Sequence, residues 1–262
     1  MKFLVIGSKT DPASRNIIMN LMDLTNKLDY HIIDGDMLNT NNLNLEKINK
    51  FDFIIFASKH KSEKSMKTLS IHSPGNWKEV WGGGMEGKVS TSSALFNKHL
   101  FNVLAKNREK SKLQKYDLTL ECTHHGPLIN KPAVFIEIGG GTAEWKDRHA
   151  SFCVAKTIIE AIETFKENPY NEIAIGLGGP HYCPTFNKLQ LTSNVAISHI
   201  IPKYIEPITL DMVKEALEKT KEEVDFVVLD WKGLGNKEEK QRIIDFLDKN
   251  YISYKRSSEI KK

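Results

Sequence analysis

Two short turns gather the reactive side chains of this 262-residue chain. They are Glu121-Cys122-Thr123-His124-His125-Gly126-Pro127 and Gly176-Leu177-Gly178-Gly179-Pro180-His181-Tyr182-Cys183-Pro184. Each follows an apolar run that reads as a buried strand, Tyr116 to Leu120 and Glu172 to Leu177. Gly and Pro then fix a turn and let backbone approach a ligand closely. His124, His125 and His181 offer general bases or metal ligands, and Glu121 sets a carboxylate beside them. The Gly178 and Gly179 N–H groups are candidate donors to a tetrahedral oxyanion. These are the parts of a hydrolase. Neighbouring side chains on extended backbone point to opposite sides, so at least one of His124 and His125 is expected in the site and one in the turn packing. His72, in Ser70-Ile71-His72-Ser73-Pro74-Gly75-Asn76, closes a third strand. Gly139-Gly140-Gly141-Thr142 leads a strand into a helix, where an anion can be held; Thr142 as an N-cap is compatible with that. His31, His60, His99, His149 and His199 have no such context and read as structural or exposed.

The elements that must position these residues alternate. Strands are expected at Phe3 to Ile6, Tyr30 to Ile33, Phe53 to Phe56, Thr68 to Ile71, Leu118 to Leu120, Val134 to Ile138, Val195 to Ile197 and Phe226 to Leu229. Helices are expected through Ile17 to Leu28, from about Ser93 to Lys106, as one long helix after Thr142, from Thr209 to Lys219 and from Lys237 to Leu247. The Pro12 turn opens the first of them. A glycine-dense loop runs from Trp81 to Gly87, and the polar tail from Lys255 to Lys262 should fray. This alternation implies an α/β architecture, a mixed, largely parallel sheet flanked by helices. Ligand sites in such sheets form at strand ends, so the two turns could share one cleft. With no linker or repeat, residues 1–262 read as a single α/β domain with room for two interleaved subdomains.

Composition narrows the class. Hydrophobic residues at 40% and charged residues at 27% are an ordinary globular balance. No apolar run approaches the roughly 20 residues that span a bilayer, and the start is too short for a signal peptide. No membrane partner and a cytoplasmic location are therefore expected. Cys122, Cys153 and Cys183 form no Cys-x-x-Cys pair, which argues against a disulfide framework or a zinc knuckle. All three read as buried packing, although Cys122 and Cys183 sit inside the turns. The net charge of +4 is mild. Local basic clusters, Lys59, Lys61, Lys64 and Lys67, then Lys106, Arg108, Lys110, Lys112 and Lys115, could meet phosphates or simply be solvated ends. Dinucleotide-binding, Walker, Gly-x-Ser-x-Gly and His-Glu-x-x-His signatures are absent.

Taken together and in chain order, Ser8-Lys9-Thr10-Asp11-Pro12-Ala13-Ser14, His72-Ser73-Pro74-Gly75-Asn76, the first turn, Glu137-Ile138-Gly139, Trp145 and the second turn resemble the archaeal and plant-type D-aminoacyl-tRNA deacylase family. The resemblance spans roughly Met1 to Trp231. It implies a phosphorylase/peptidyl-tRNA-hydrolase-like fold and hydrolysis of the ester joining a D-amino acid to tRNA, for proofreading and tRNA recycling. It also implies zinc, with His124, His125 and His181 as candidate ligands and Glu121 in support. Lys9, His72, Gly139, Gly140, Gly178 and Gly179 would bind the acceptor end of D-aminoacyl-tRNA. A monomer is expected. Cys122 stands where a smaller residue such as Ala is common in the family, which argues against a cysteine nucleophile. The residues alone leave two alternatives open: a metal-dependent peptidase- or nucleosidase-like hydrolase, and a non-catalytic tRNA-binding protein.

Overall fold

The computed structural model describes residues 1–61, 65–80 and 82–261; Lys64, Trp81 and Lys262, which entered the sequence reading, lie outside the described residues. β1 (Phe3–Ser8) leads to α1 (Pro12–Leu24), where the Asp11 carboxylate accepts from the Ser14 N–H at 3.0 Å. This is an ordinary N-cap, with Pro12 in the first turn. Next come β2 (Asp29–Ile33), α2 (Leu45–Asn49), β3 (Phe53–Lys61), β4 (Thr68–His72) and a small hairpin of β5 (Gly75–Asn76) and β6 (Lys88–Val89). α3 (Ala94–Lys110), β7 (Asp117–Leu120) and β8 (Ala133–Gly140) follow. The second part holds α4 (Thr142–Trp145), α5 (Arg148–Thr164), β9 (Glu172–Leu177), α6 (Pro184–Thr192), β10 (Val195–Ile201), α7 (Leu210–Glu218), β11 (Phe226–Leu229), α8 (Lys237–Lys249) and β12 (Tyr254–Arg256).

The largely parallel arrangement stands, distributed over two sheets. One has the order β2-β1-β3-β8-β4-β7, parallel except where β4 meets β8; the other, β10-β9-β11-β12, is parallel throughout. Along the first sheet Val5, Ile55 and Ile136 point to one face and Leu4, Ile54 and Phe135 to the other, each face meeting its own apolar cluster. The larger cluster joins Val5, Ile55 and Leu100 to Ala174, Phe186 and Phe226, so it reaches both sheets. α3 supplies Leu100, Phe101 and Leu104 to that cluster.

Some boundaries moved. β3 continues past Phe56 to Lys61, which proves decisive for the site. The single helix expected after Thr142 is two, because Asp147 turns to cap α5, accepting from His149 N–H at 2.9 Å and Ala150 N–H at 3.2 Å. The tail is not free at its start: Tyr254 to Arg256 pair with β11. No helix among the described residues is long and apolar enough to cross a membrane.

Candidate active site

The inner strands of the first sheet carry a polar patch on one face. Ser58 of β3 and Ser70 of β4 both lie opposite Glu137 of β8, and paired residues share a face. His60 and His72 stand two positions further along their own strands, so they flank Glu137 diagonally. Beyond them the same face turns apolar, where the Phe135 ring stacks on Phe56 at 4.6 Å and on His72 at 5.0 Å. His60 Nδ1 lies 3.5 Å from Glu137 Oε2, and His72 Nε2 lies 3.6 Å from the same oxygen.

The two turns close over this patch. The first is fastened to β10, with Thr123 N–H donating to Ile200 O at 3.0 Å and Ile200 N–H to Thr123 Oγ1 at 3.2 Å. It is fastened to the second turn by Cys122 N–H donating to His181 O at 2.9 Å. Asn187 of α6 locks both, accepting from Leu120 N–H at 2.6 Å and donating to Tyr182 O at 2.9 Å. The result is that Glu121 Oε2 lies 3.1 Å from His60 Nδ1, 3.1 Å from His181 Nε2 and 3.5 Å from His124 Nε2. Candidate ligand atoms of His60, Glu121, His124 and His181 all lie within 4.8 Å of one another, as do those of His72, His124 and His125, and of His72, Glu121 and Glu137.

Protonation explains what this cluster is suited to hold. Burial and the neighbouring His72 hold His124 well below the usual histidine range and His125 at about 4, so both rings are neutral. Their Nδ1 atoms each face a carbonyl at 2.8 Å, Cys122 O for His124 and Gly126 O for His125. A carbonyl can only accept, so the single ring hydrogen sits on Nδ1. The bare Nε2 of His124 then points its lone pair at the Glu121 carboxylate. Two lone pairs face each other across 3.5 Å unless a cation lies between them. His72 is held the same way, with Nδ1 at 3.2 Å from Ser73 O. Burial pushes both carboxylates up, but His60 and His181 at Glu121, and His60 and His72 at Glu137, outweigh it and hold both low. Among the described residues, Glu121 Oε1, Glu137 Oε2 and His72 Nε2 are buried without a hydrogen-bond partner. Imidazoles tied through Nδ1 to backbone carbonyls, with Nε2 turned to carboxylates, are the donor set of a transition-metal site.

The structure therefore brings together Glu121, His124, His125, His181 and His72, and adds two residues. His60, read from sequence as structural or exposed, sits at the centre between both carboxylates. Glu137, noted only within the resemblance, is the buried carboxylate opposite. A signal existed for Glu137, a polar residue within an otherwise apolar strand, whereas His60 lies past the apolar run of β3 among Ser58, Lys59 and Lys61.

Other expected residues are engaged elsewhere. Gly178 N–H donates to Ile201 O at 2.8 Å and Gly179 N–H to Gly233 O at 3.2 Å, so neither is free to hold an oxyanion. Their φ values of +93° and +83° explain why glycine is required there. Gly139 and Gly140 are required by close packing. A Cβ at Gly139 would collide with Thr68 Oγ1, and one at Gly140 would lie 2.6 Å from the Glu144 side chain. The Glu144 carboxylate also accepts the Gly141 N–H at 3.0 Å, and its charge disfavours a phosphate at that helix start. Lys9 pairs with Asp34 at 2.6 Å rather than turning to the imidazoles. Of the basic clusters, Lys67 pairs with Glu144 at 2.9 Å, Lys106 with Glu160 at 2.8 Å and Lys115 with Asp147 at 3.1 Å. Arg108 donates to Tyr116 O and Gln114 O. Cys122, Cys153 and Cys183 are free and buried.

Residues 47–255 match the family model described as D-aminoacyl-tRNA deacylase. A D-aminoacyl-tRNA deacylase of Methanocaldococcus jannaschii is 34% identical over 265 residues, covering 98% of this chain and 100% of its own. One of Methanococcus maripaludis is 32% identical over 262 residues, with 98% and 100% covered. The crystal structure of a conserved protein of unknown function, AF0625, superposes with a TM-score of 0.89 at 27% identity, covering 99% of this chain and 96% of that one.

Proposed function

The chain belongs to the D-aminoacyl-tRNA deacylase family and is an ester hydrolase of D-aminoacyl-tRNA; we propose that the cluster around Glu121 carries the chemistry. The supporting observation is the convergence of His60, His124 and His181 on one carboxylate oxygen, while the other, Oε1, is a buried acceptor without a hydrogen-bond partner among the described residues. Glu121 Oε1 takes the proton of the attacking water. His181, the most open of these three imidazoles with a side chain 30% exposed, delivers a proton to the leaving ribose oxygen. His60, set between Glu137 and Glu121, holds Glu121 in place, and the turn glycines set the frame rather than the oxyanion contacts.

The donor set fits zinc, with His60, Glu121 and His124 as its holders, His181 left to carry its proton, and His72, His125 and Glu137 adjoining. Zinc bound there would supply Lewis-acid polarisation of the ester carbonyl. The tRNA enters through its acceptor end, the part that carries the ester. The relatives favour neither a peptidase- or nucleosidase-like hydrolase nor a non-catalytic RNA binder.

The test is ester loss from matched D- and L-aminoacyl-tRNA, with the protein's metal content measured on the same preparation. Selective release from the D-substrate, abolished by Glu121→Gln, is expected. Equal release from both substrates would remove the chiral assignment, and full activity in Glu121→Gln would remove Glu121 as the base.

A further inference from the structure

We propose that Tyr204 is the stacking platform for the terminal nucleobase of the RNA substrate. This rests on the deacylase reading, which puts an adenosine next to the reacting ester. Tyr204 follows β10 and is 53% exposed as a residue, while its hydroxyl is turned inward to Cys122 and His181. Oη lies 2.9 Å from Cys122 Sγ and 3.3 Å from His181 Nδ1, and His181 Nε2 lies 3.1 Å from Glu121 Oε2. A tyrosine placed only for packing buries its ring and leaves its hydroxyl wet. Here the order is reversed: the polar end is anchored at the cluster and the aromatic surface faces outward.

The backbone beneath the ring is held on both sides. Gly178 N–H donates to Ile201 O at 2.8 Å, Lys203 N–H to Gly179 O at 2.9 Å and Ile205 N–H to Pro202 O at 3.1 Å. This also gives the Gly178-Gly179 turn a role once its N–H groups are excluded as oxyanion donors. A ring fixed by its hydroxyl and its backbone loses little freedom when a base lands on it. Lys203, exposed beside Tyr204, adds the charge that a phosphodiester attracts. The amino-acid side chain must be enclosed to be sorted by chirality, whereas the nucleoside arrives from solution on a large molecule. The open ring at the rim suits the nucleoside.

Base stacking on an aromatic residue is lost on truncation at a cost of about 5- to 100-fold in affinity. The comparison is between Tyr204→Ala and Tyr204→Phe, because both drop the hydroxyl contact with His181 and only one drops the ring. On D-aminoacyl-tRNA and on D-aminoacyl-adenosine, KM for Tyr204→Ala should exceed that for Tyr204→Phe by about 5- to 100-fold. On the ethyl ester of the same D-amino acid, which has no base, the two variants should agree within about twofold, and Tyr204→Trp should behave like Tyr204→Phe on all three. Equal KM for Ala and Phe variants on the adenosine ester, or the same excess on the ethyl ester, would overturn the platform. A binding arm separates this from the deacylase reading. An RNA hairpin ending in a single-stranded adenosine should bind the unaltered protein more tightly than its abasic counterpart, and Tyr204→Ala should lose that preference. Base preference without deacylation would remove the deacylase reading and leave the platform standing. Deacylation without base preference would remove the platform alone.

Discussion

His60 and Glu121 face each other at 3.1 Å from strands that end far apart in sequence, and that contact carries the first prediction. His60→Gln keeps the side-chain volume but removes a nitrogen from both carboxylates. It should lower kcat/KM by about 100-fold or more and reduce bound zinc, with circular dichroism unchanged. Full zinc content and near-normal activity would take His60 out of the site. The second prediction concerns His124 and His181, whose nitrogens meet the same Glu121 oxygen. Residues that act as a unit lose function non-additively. Each single Ala variant should cost most of kcat/KM, and the double variant little more than the worse single. Multiplying losses would separate the two turns functionally. At this scale the sequence showed Glu121 and the turn histidines, because Gly and Pro around them mark a built turn. It hid His60, because a lone histidine past an apolar run looks like a strand end until the strand is known to continue.

Elements decide how firmly the turns are held, and His199 of β10 is one of the fastenings of the first. That ring is fully buried, with Nδ1 at 3.1 Å from Thr123 Oγ1 and Nε2 at 3.3 Å from the Lys219 carbonyl. It bolts the first turn and the end of α7 to the second sheet. Burial pushes its pKa down to about 4 from the usual histidine value of 6.5, so the native ring is neutral where the unfolded chain takes up a proton. Its contribution is therefore fully present above pH 6.5 and is lost as pH falls toward 4. The loss should be roughly 3 kcal/mol across that window. Unfolding free energies measured between these limits should therefore decline less steeply with acid in His199→Gln than in the unaltered chain. Identical slopes would place the acid sensitivity elsewhere. Alternation made the strands and most helices legible, including β9 and β11 to their ends. It missed α6, whose Cys183 cap has a φ of +48°, and β12, a short mixed-polarity strand held by pairing with β11 and by the Lys255–Glu172 ion pair. Non-local hydrogen bonds fixed those elements, and single-sequence periodicity does not register them.

For the whole molecule, the fold class was readable and the division into two sheets was not, since the strands of both sheets look alike as short apolar runs. The division matters because the candidate site draws Glu121 from the end of one sheet and His181 from the end of the other. The apolar cluster beneath them is shared, with Leu100 of α3 fully buried among residues of both sheets. We therefore propose that residues 1–262 unfold as one cooperative unit, and that the site fails only when the unit does. Leu100→Ala leaves a cavity at that shared position and should cost about 2–5 kcal/mol. If the sheets are one unit, the denaturant midpoint should fall equally whether followed by far-ultraviolet circular dichroism, by tryptophan fluorescence or by ester hydrolysis. Trp77 and Trp231 pack with the cluster of the second sheet, and Trp145 with the shared one, so fluorescence samples both regions. Probes that separate would show two subdomains, with catalysis expected to follow the less stable one, because Glu121 without His181 is only half of the constellation.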